Sequence, residues 1–402
     1  MKKSMMPASL LIVAVLLLAM AAGCVAPTPA TVVETVVVEK EVVVEKEVEV
    51  EKEVVVTVEV EKEMEAAAPN PYRPDELFQA AEDLKAATEG MAPPDGAKYV
   101  LLTNAVAPFW TAAQIGAARS SAEINVPITF QAPTAAEKLA QQLSMLETFV
   151  NDEYTAITFS AIDRDAPHDI IQRAVDEGIH VLCTDSDATG SERAMYIGMS
   201  DYDAGRAAAE AALEIIGEGK VVGLVGYATA QNAQDRIAGV NDVFEGTDME
   251  LVEVLLDDIK PELALSNAQA AMQKYGDDLA GFITFYSYDG PAACQAVKQA
   301  GKEGVVKIVA FDAEPETQRC MEDGAVQAMI GQRVYFYGYL SGYVMDAMAK
   351  LGEEEVMAIL DPYLDELGDE GKIRLNTGVD VIKADTFEQY KEYLDSIGIP
   401  SQ

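Results

Sequence analysis

The stretch Lys98-Tyr99-Val100-Leu101-Leu102-Thr103, followed by Asn104-Ala105-Val106-Ala107 and then Pro108-Phe109-Trp110, decides the fold. Lys98–Thr103 predicts a short apolar strand, and the run from Pro108 to Ile124 predicts an amphipathic helix. The link between them lies at the carboxyl end of the strand of a βα unit, the edge where open α/β sheets bind ligands. Two adjacent aromatics at a helix start cannot both point into the core. At least one of Phe109 and Trp110 is expected to face a crevice, where its ring can lie against the C–H face of a small molecule.

The unit repeats along the chain. Apolar strands are predicted at Ile128–Gln131, Ala156–Phe159, His180–Thr184, Lys220–Val225, Leu251–Leu256, Gly281–Phe285, Val306–Phe311 and Ala325–Ile330. Helical patterns separate them: in Ala135–Asn151, Leu139, Leu143, Leu146 and Val150 recur at three- and four-residue steps. Such alternation implies parallel sheets covered on both faces. The series restarts after Ser200-Asp201, and a strand at Val379–Ile382 with a helix at Thr386–Ile397 closes the chain.

With 402 residues, 50% of them hydrophobic, the chain is long enough for two ordinary domains. Its net charge of −39 repels nucleic-acid phosphates and anionic lipid headgroups, which argues against a nucleic-acid partner and for a neutral or cationic ligand.

Upstream, Lys2 and Lys3 precede the apolar run Leu10–Met20, which is too short to span a bilayer and ends in Ala21-Ala22-Gly23-Cys24. This predicts an export signal over residues 1–23. A cysteine directly after Ala-Ala-Gly resembles the bacterial lipobox, in which the Cys24 thiol takes a lipid and becomes the new amino terminus. The alternative is a plain secretory signal with an incidental cysteine. Residues 24–66 are low-complexity: Val-Val-Val-Glu-Lys-Glu at 36–41 recurs at 42–47. A six-residue period gives a helix no fixed seam, so this stretch is read as a charged, extended stalk, with pairing of two stalks as the competing idea. Residues 67–97 are expected to be a linker with a short helix, Asp75–Thr88. Export permits disulfides; for Cys294 and Cys320 a bridge and a pair of buried thiols both stay open.

Chemistry gathers at the strand ends. Ser160 follows one strand, Asp185 and Asp187 the next, then Tyr286, Tyr288 and Asp289, then Asp312, then Gln332. Each position is a strand-to-helix junction, so each polar group can also be a helix cap. Five junctions bearing acids, amides and aromatics on one edge favour a polar, aromatic-rimmed binding crevice.

Residues 98–397 resemble the periplasmic sugar-binding proteins of the ribose-binding type, which are related to the effector domain of LacI-type repressors. The phrases that carry the resemblance are Ala107-Pro108-Phe109-Trp110, Ile179 to Asp185, Ala233 to Gly239 with Arg236, Gln299 to Lys302, Val309 to Asp312, and Met329 to Gln332. The resemblance implies an α/β fold of the type I periplasmic binding protein kind: two similar Rossmann-like lobes with parallel sheets, joined by a three-crossover hinge. The lobes would be 98–200 plus 333–378 and 201–332 plus 379–402, crossing near Ser200, Gln332 and Gly378. It implies that Phe109 and Trp110 sandwich a sugar ring, that Asp185 and Asp312 accept from hydroxyls, that Arg236 donates to oxygens, and that Gln332 adds an amide near the hinge. An acid, a guanidinium and an amide together complement hydroxyls that both donate and accept. Three positions depart from the family pattern: an asparagine falls on Ala107, an arginine on Ser186 and a second asparagine on Tyr286. The candidate ligand-binding set is therefore Phe109, Trp110, Ser160, Asp185, Asp187, Arg236, Tyr286, Tyr288, Asp289, Asp312 and Gln332, with the departures arguing against ribose itself.

Other signals are weaker. His168 and His180 have no cysteine at ligand spacing and no serine or cysteine in a nucleophile turn, so no metal, cofactor or catalytic residue is assigned. Gly217 to Lys220 is read as a turn before a strand. Tyr335, Tyr337, Tyr339 and Tyr343 are read as core or hinge packing, and Glu353 to Glu370 as a solvated surface. The chain is thus expected to be a lipid-anchored, extracytoplasmic solute-binding protein with a monomeric binding domain. It would capture a sugar or polyol and deliver it to the permease of an ABC importer. A sensor component presenting ligand to a membrane receptor is the first alternative, and an enzyme on a similar fold the second. Replacing Cys24 by Ser should move the protein from the membrane fraction to the soluble fraction; unchanged fractionation of Cys24→Ser would refute the anchor.

Overall fold

The computed structural model describes residues 70–135, 137–226 and 231–400; the expected signal peptide, Cys24 and the stalk lie outside the described residues. Helix α1 (Asp75–Ala87) precedes the first sheet, built from β1 (Tyr99–Leu102), α2 (Thr111–Ile124), β2 (Ile128–Gln131), α3 (Lys138–Asn151), β3 (Ala156–Phe159), α4 (His168–Asp176), β4 (His180–Thr184) and β5 (Met195–Gly198). Helix α5 (Asp201–Ile216) carries the chain to the second sheet. There follow β6 (Gly219–Val225), α6 (Gln231–Phe244), β7 (Met249–Leu256), α7 (Pro261–Tyr275), β8 (Leu279–Thr284), α8 (Asp289–Ala300), β9 (Lys307–Phe311), α9 (Pro315–Glu322) and β10 (Ala328–Gln332). Helix α10 (Val334–Leu351) returns it to the first sheet with α11 (Glu353–Leu360), β11 (Leu364–Glu366) and β12 (Lys372–Asn376). Finally β13 (Val379–Lys383) and α12 (Phe387–Ser396) rejoin the second.

The strand orders are β11-β12-β5-β4-β3-β1-β2 and β13-β10-β9-β8-β6-β7. Both contain the same five-strand parallel pattern, in the order second, first, third, fourth, fifth. The fold is therefore one doubly wound α/β lobe made twice, with the chain crossing between lobes after β5, β10 and β12. All four residues of β1, β3 and β5 are buried, as strands covered on both faces must be.

In each lobe the crossover helix lies against the first helix of that lobe with backbones in contact. A Cβ added at Gly116 would lie 2.1 Å from the Tyr335 carbonyl oxygen, and one at Gly338 would lie 1.9 Å from that of Ala113. The second lobe repeats this between α5 and α6: a Cβ at Gly205 would be 2.1 Å from the Arg236 oxygen, and one at Gly239 the same distance from that of Tyr202. No side chain fits at any of the four.

Several elements differ from the sequence reading. Strands β5, β11 and β12 were not predicted. The acidic stretch read as solvated surface contains α11, whose Val356 and Leu360 are fully buried, and edge strand β11. The helix expected within a linker, α1, buries Leu77, Ala80, Ala81 and Leu84, and its Phe78 ring meets Phe336 edge-on at 5.0 Å. Just before it, Asn70 donates to the Gln389 carbonyl (2.7 Å) and Tyr72 packs on Tyr390 at 5.2 Å, both in α12. The four tyrosines from Tyr335 to Tyr343 agree with the reading as core or hinge packing, being buried in α10. A disulfide joins Cys294 on α8 to Cys320 on α9, while Cys183 is a buried free thiol.

Gly205→Ala should force α5 from α6 and lower unfolding free energy by about 1–3 kcal/mol. A urea midpoint equal to wild type would refute the contact.

Candidate functional site

Two aspartates define the site. Asp185 and Asp312 directly follow β4 and β9, the corresponding fourth strands of the two lobes, and both have positive φ, 62° and 66°. Left-handed backbone is uncommon outside glycine and costs on the order of 1–2 kcal/mol. The same cost at equivalent positions of both lobes points to function. Neither residue caps a helix.

Each carboxylate is held by an amide. Asp185 accepts from the Ser160 hydroxyl at 2.7 Å and from Asn104 Nδ2 at 3.3 Å, and Asn104 Oδ1 accepts in turn from the Trp110 indole at 3.1 Å. Asp312 accepts from Gln332 Nε2 at 2.9 Å, and the Tyr337 hydroxyl donates across the second crossover to Gln332 Oε1 at 3.1 Å. Arg236 comes from α6 and is 3% exposed. It donates to Asp201 at 2.8 Å and to the Phe285 carbonyl at 2.6 Å, with its guanidinium 4.5 Å from the centre of the Phe311 ring. The α5–α6 backbone contact sets that position.

Burial pushes Asp185 up to about 6, against the Ser160 hydrogen bond and the Arg236 charge. It pushes Asp312 up to about 7, against Arg236 and Gln332, while Glu314 and Asp185 add to the rise. Burial works against the Arg236 charge, yet Asp201 and Asp312 hold it above its ordinary value. The three groups therefore share one poorly solvated crevice in which carboxylates outnumber guanidinium.

Of the paired aromatics, Phe109 is half-buried and faces the crevice. Trp110 is 4% exposed, packs with Ala113, Val334 and Tyr337, and backs the wall behind Phe109, whose ring meets it edge-on at 5.1 Å. From the other lobe Tyr286 reaches Asn232 at 3.0 Å and lies 6.0 Å from Arg236. Outward of Asp185 and Tyr196 the crevice widens to a cleft of about 820 Å³, bordered across the gap by Asp201, Asn232 and Asp235.

The structure thus brings together Phe109, Trp110, Ser160, Asp185, Arg236, Tyr286, Asp312 and Gln332. It places three other candidates elsewhere. Asp187 borders the outer cleft, but its carboxylate is bound by buried Arg193, which also reaches Glu370 at 2.7 Å. Tyr288 donates to Asp257 at 2.6 Å, and Asp289 is fully buried against Asp257 and accepts from the Tyr286 amide. Burial and the Asp257 charge raise Asp289 well above the ordinary carboxylate range. Residues not anticipated are Asn104, Asp201, Asn232 and Tyr337. Asn104 stands in the quoted loop, three positions before the Ala107 where the family pattern has an asparagine. Among the described residues no cluster of three His, Cys, Asp or Glu side chains could hold a metal ion, and no helix is long and apolar enough to cross a membrane.

Two α/β lobes with polar and aromatic groups converging from their strand ends define a class of two-lobed ligand-binding proteins. The chain belongs to the periplasmic binding protein domain family, matched over residues 98–354. It is 24% identical over 200 residues to the D-ribose/D-allose-binding protein of Pseudomonas aeruginosa, a match covering 48% of this chain and 62% of that protein. It thus spans less than two thirds of that relative. It is 26% identical over 241 residues to the fructose import binding protein FruE of Bifidobacterium longum, covering 58% and 68% of the two chains. The fold overlays AraP, an arabinose binding protein from Geobacillus stearothermophilus, with a TM-score of 0.61 and 24% identity over 73% of this chain and 99% of that one.

An aspartate whose folded pKa is raised above the ordinary 3.8 costs stability when ionised. That cost is full above about pH 7 and fades as pH falls towards 4. Asp312→Asn keeps the shape and tolerates the left-handed backbone. It should be more stable than wild type at pH 8, by on the order of 2–4 kcal/mol, and should lose that advantage by pH 4. A difference in unfolding free energy that does not change with pH would show that Asp312 is not desolvated.

Proposed function

We propose that this chain is an extracytoplasmic solute-binding protein, lipid-anchored through Cys24, that captures a sugar or polyol between its lobes and passes it to the permease of an ABC importer. The observation that carries this reading is the convergence of Asp185 and Asp312, one from each lobe, on the Arg236 charge, with the Phe109 ring bordering the space at Asp312. Acceptors from both lobes have to be satisfied together, so a hydroxyl-bearing ligand is bound best when the crevice closes about the three crossovers. Carboxylate, guanidinium and amide groups supply acceptors and donors for hydroxyls, and Phe109 covers a C–H face. The names of the two relatives, a ribose/allose binder and a fructose import binder, accord with it. The groups read here as performing capture are Phe109, Asn104, Ser160, Asp185, Arg236, Tyr286, Asp312 and Gln332, with Trp110 as backing. No step of covalent chemistry is needed for this role.

A thermal-shift screen of sugars, polyols, nucleosides and amino acids tests the reading, since a ligand stabilises the native state by RT ln(1 + [L]/Kd). A sugar or polyol should raise the midpoint. Asp185→Asn and Asp312→Asn should each weaken its binding by roughly tenfold to a hundredfold, the effect of an unpaired hydroxyl in a desolvated site. Wild-type affinity in both variants, or a hit confined to amino acids, would overturn the assignment.

A further inference from the structure

The crevice does not end at Asp312. Phe109, Asp312 and Gln332 also border an inner cavity of about 290 Å³, near the lower end of the range for small-molecule sites. It runs from the start of α10 to α12 and the tail beyond it. Its walls there are Val334, Phe336, Tyr390, Leu394, Ile397 and Ile399, mostly carbon surface, with Glu314 and the paired Arg333 and Asp380 at the edge as the charged groups. The cleft beyond Asp185 is lined instead by acids and amides, so the two cavities differ in chemistry.

Two polar tips in the inner lining have no partner among the described residues. Gln318 is 4% exposed; its amide nitrogen donates to the Ala313 carbonyl at 2.7 Å, while its Oε1 accepts nothing. Tyr393 is also 4% exposed, and its hydroxyl is unpaired. Buried unpaired groups are destabilising, and a purely apolar packing defect would not contain them. A second sugar ring would match this lining poorly, because most of its hydroxyls would face carbon.

We propose that this cavity is a second subsite that takes an apolar, ring-sized substituent carried by the bound sugar. The preferred ligand is then a glycoside with an aryl or alkyl aglycone rather than a free sugar or an oligosaccharide. The substituent lies beyond Phe109 and Asp312 against Leu394 and Ile397. The inference rests on the sugar reading of the main site, and the following test separates the two.

Calorimetry on the full-length protein compares D-ribose, D-allose, D-arabinose and D-fructose with their methyl and phenyl glycosides in both anomeric forms. At least one phenyl glycoside should bind ten- to a hundredfold tighter than its parent sugar, the gain expected from burying a ring. Leu394→Trp fills the cavity without touching the carboxylates. It should abolish that gain and leave free-sugar affinity unchanged. Ile399→Trp serves the same purpose if the first variant does not fold. Free sugars binding while phenyl glycosides gain nothing would overturn the subsite and leave the sugar reading intact. A gain that survives both tryptophan variants would place the ring elsewhere and also overturn it. Failure of every sugar and glycoside would overturn both.

Discussion

The closeness of two helix pairs governs the rest of the molecule. Where α10 crosses α2 and where α5 crosses α6, backbone meets backbone, and four glycines make that approach possible. The crossover helices are therefore not loosely laid on their lobes. Because α5 is held against α6, Asp201 at the start of one lies beside Arg236 on the other. Because α10 is held against α2, Tyr337 and Gln332 meet the wall that Phe109 and Trp110 form. The candidate site is thus assembled by the same contacts that seat each crossover helix on its own lobe.

The electrostatics of the crevice run against stability. Two carboxylates are kept on strained backbone in a poorly solvated place, with one guanidinium to offset them, in a chain whose net charge is already −39. A structure optimised for stability alone would not keep them there. Arg236 is itself tied to Asp201 and to a carbonyl, so only part of its charge serves the crevice. What remains unsatisfied is acceptor capacity, the complement of a ligand rich in hydroxyl donors.

Much of this was legible in the sequence, for a physical reason. Strands buried on both faces are continuous apolar runs, so β1, β3, β4, β6 and β9 stand out from the helices around them. Strand β5 is only four residues long, and its approach, Ser191-Glu192-Arg193, looks like a loop because the partners of Arg193 are distant or across a turn. Strands β11 and β12 lie in a charged stretch and are strands only because β5 offers an open edge. Among the candidates, Asp185, Asp312 and Gln332 were legible because strand ends are few and polar residues there are conspicuous, while Arg236, inside α6, stood out only through the family resemblance. Asn104, Asp201, Asn232 and Tyr337 were not, since their roles depend on helix packing. A strand-end acid gives no local sign of whether it faces the crevice or a buried neighbour, and Asp289 lies against Asp257. Helix α1 was taken for part of a linker because its apolar face looks unpartnered until α10 is laid beside it.

The bond between Cys294 and Cys320 joins residues 26 positions apart in the chain, and within that loop lie β9 and Asp312. One of the two defining carboxylates is therefore carried on the only covalently closed loop among the described residues, fastened at both ends to the helices beside it. Closing such a loop narrows the range of unfolded conformations open to that segment and so favours its folded form. Such a bond persists in an oxidising environment. The same chain held in a reducing compartment would have β1 to β5 and Asp185 complete while the strand bearing Asp312 lacked its covalent restraint.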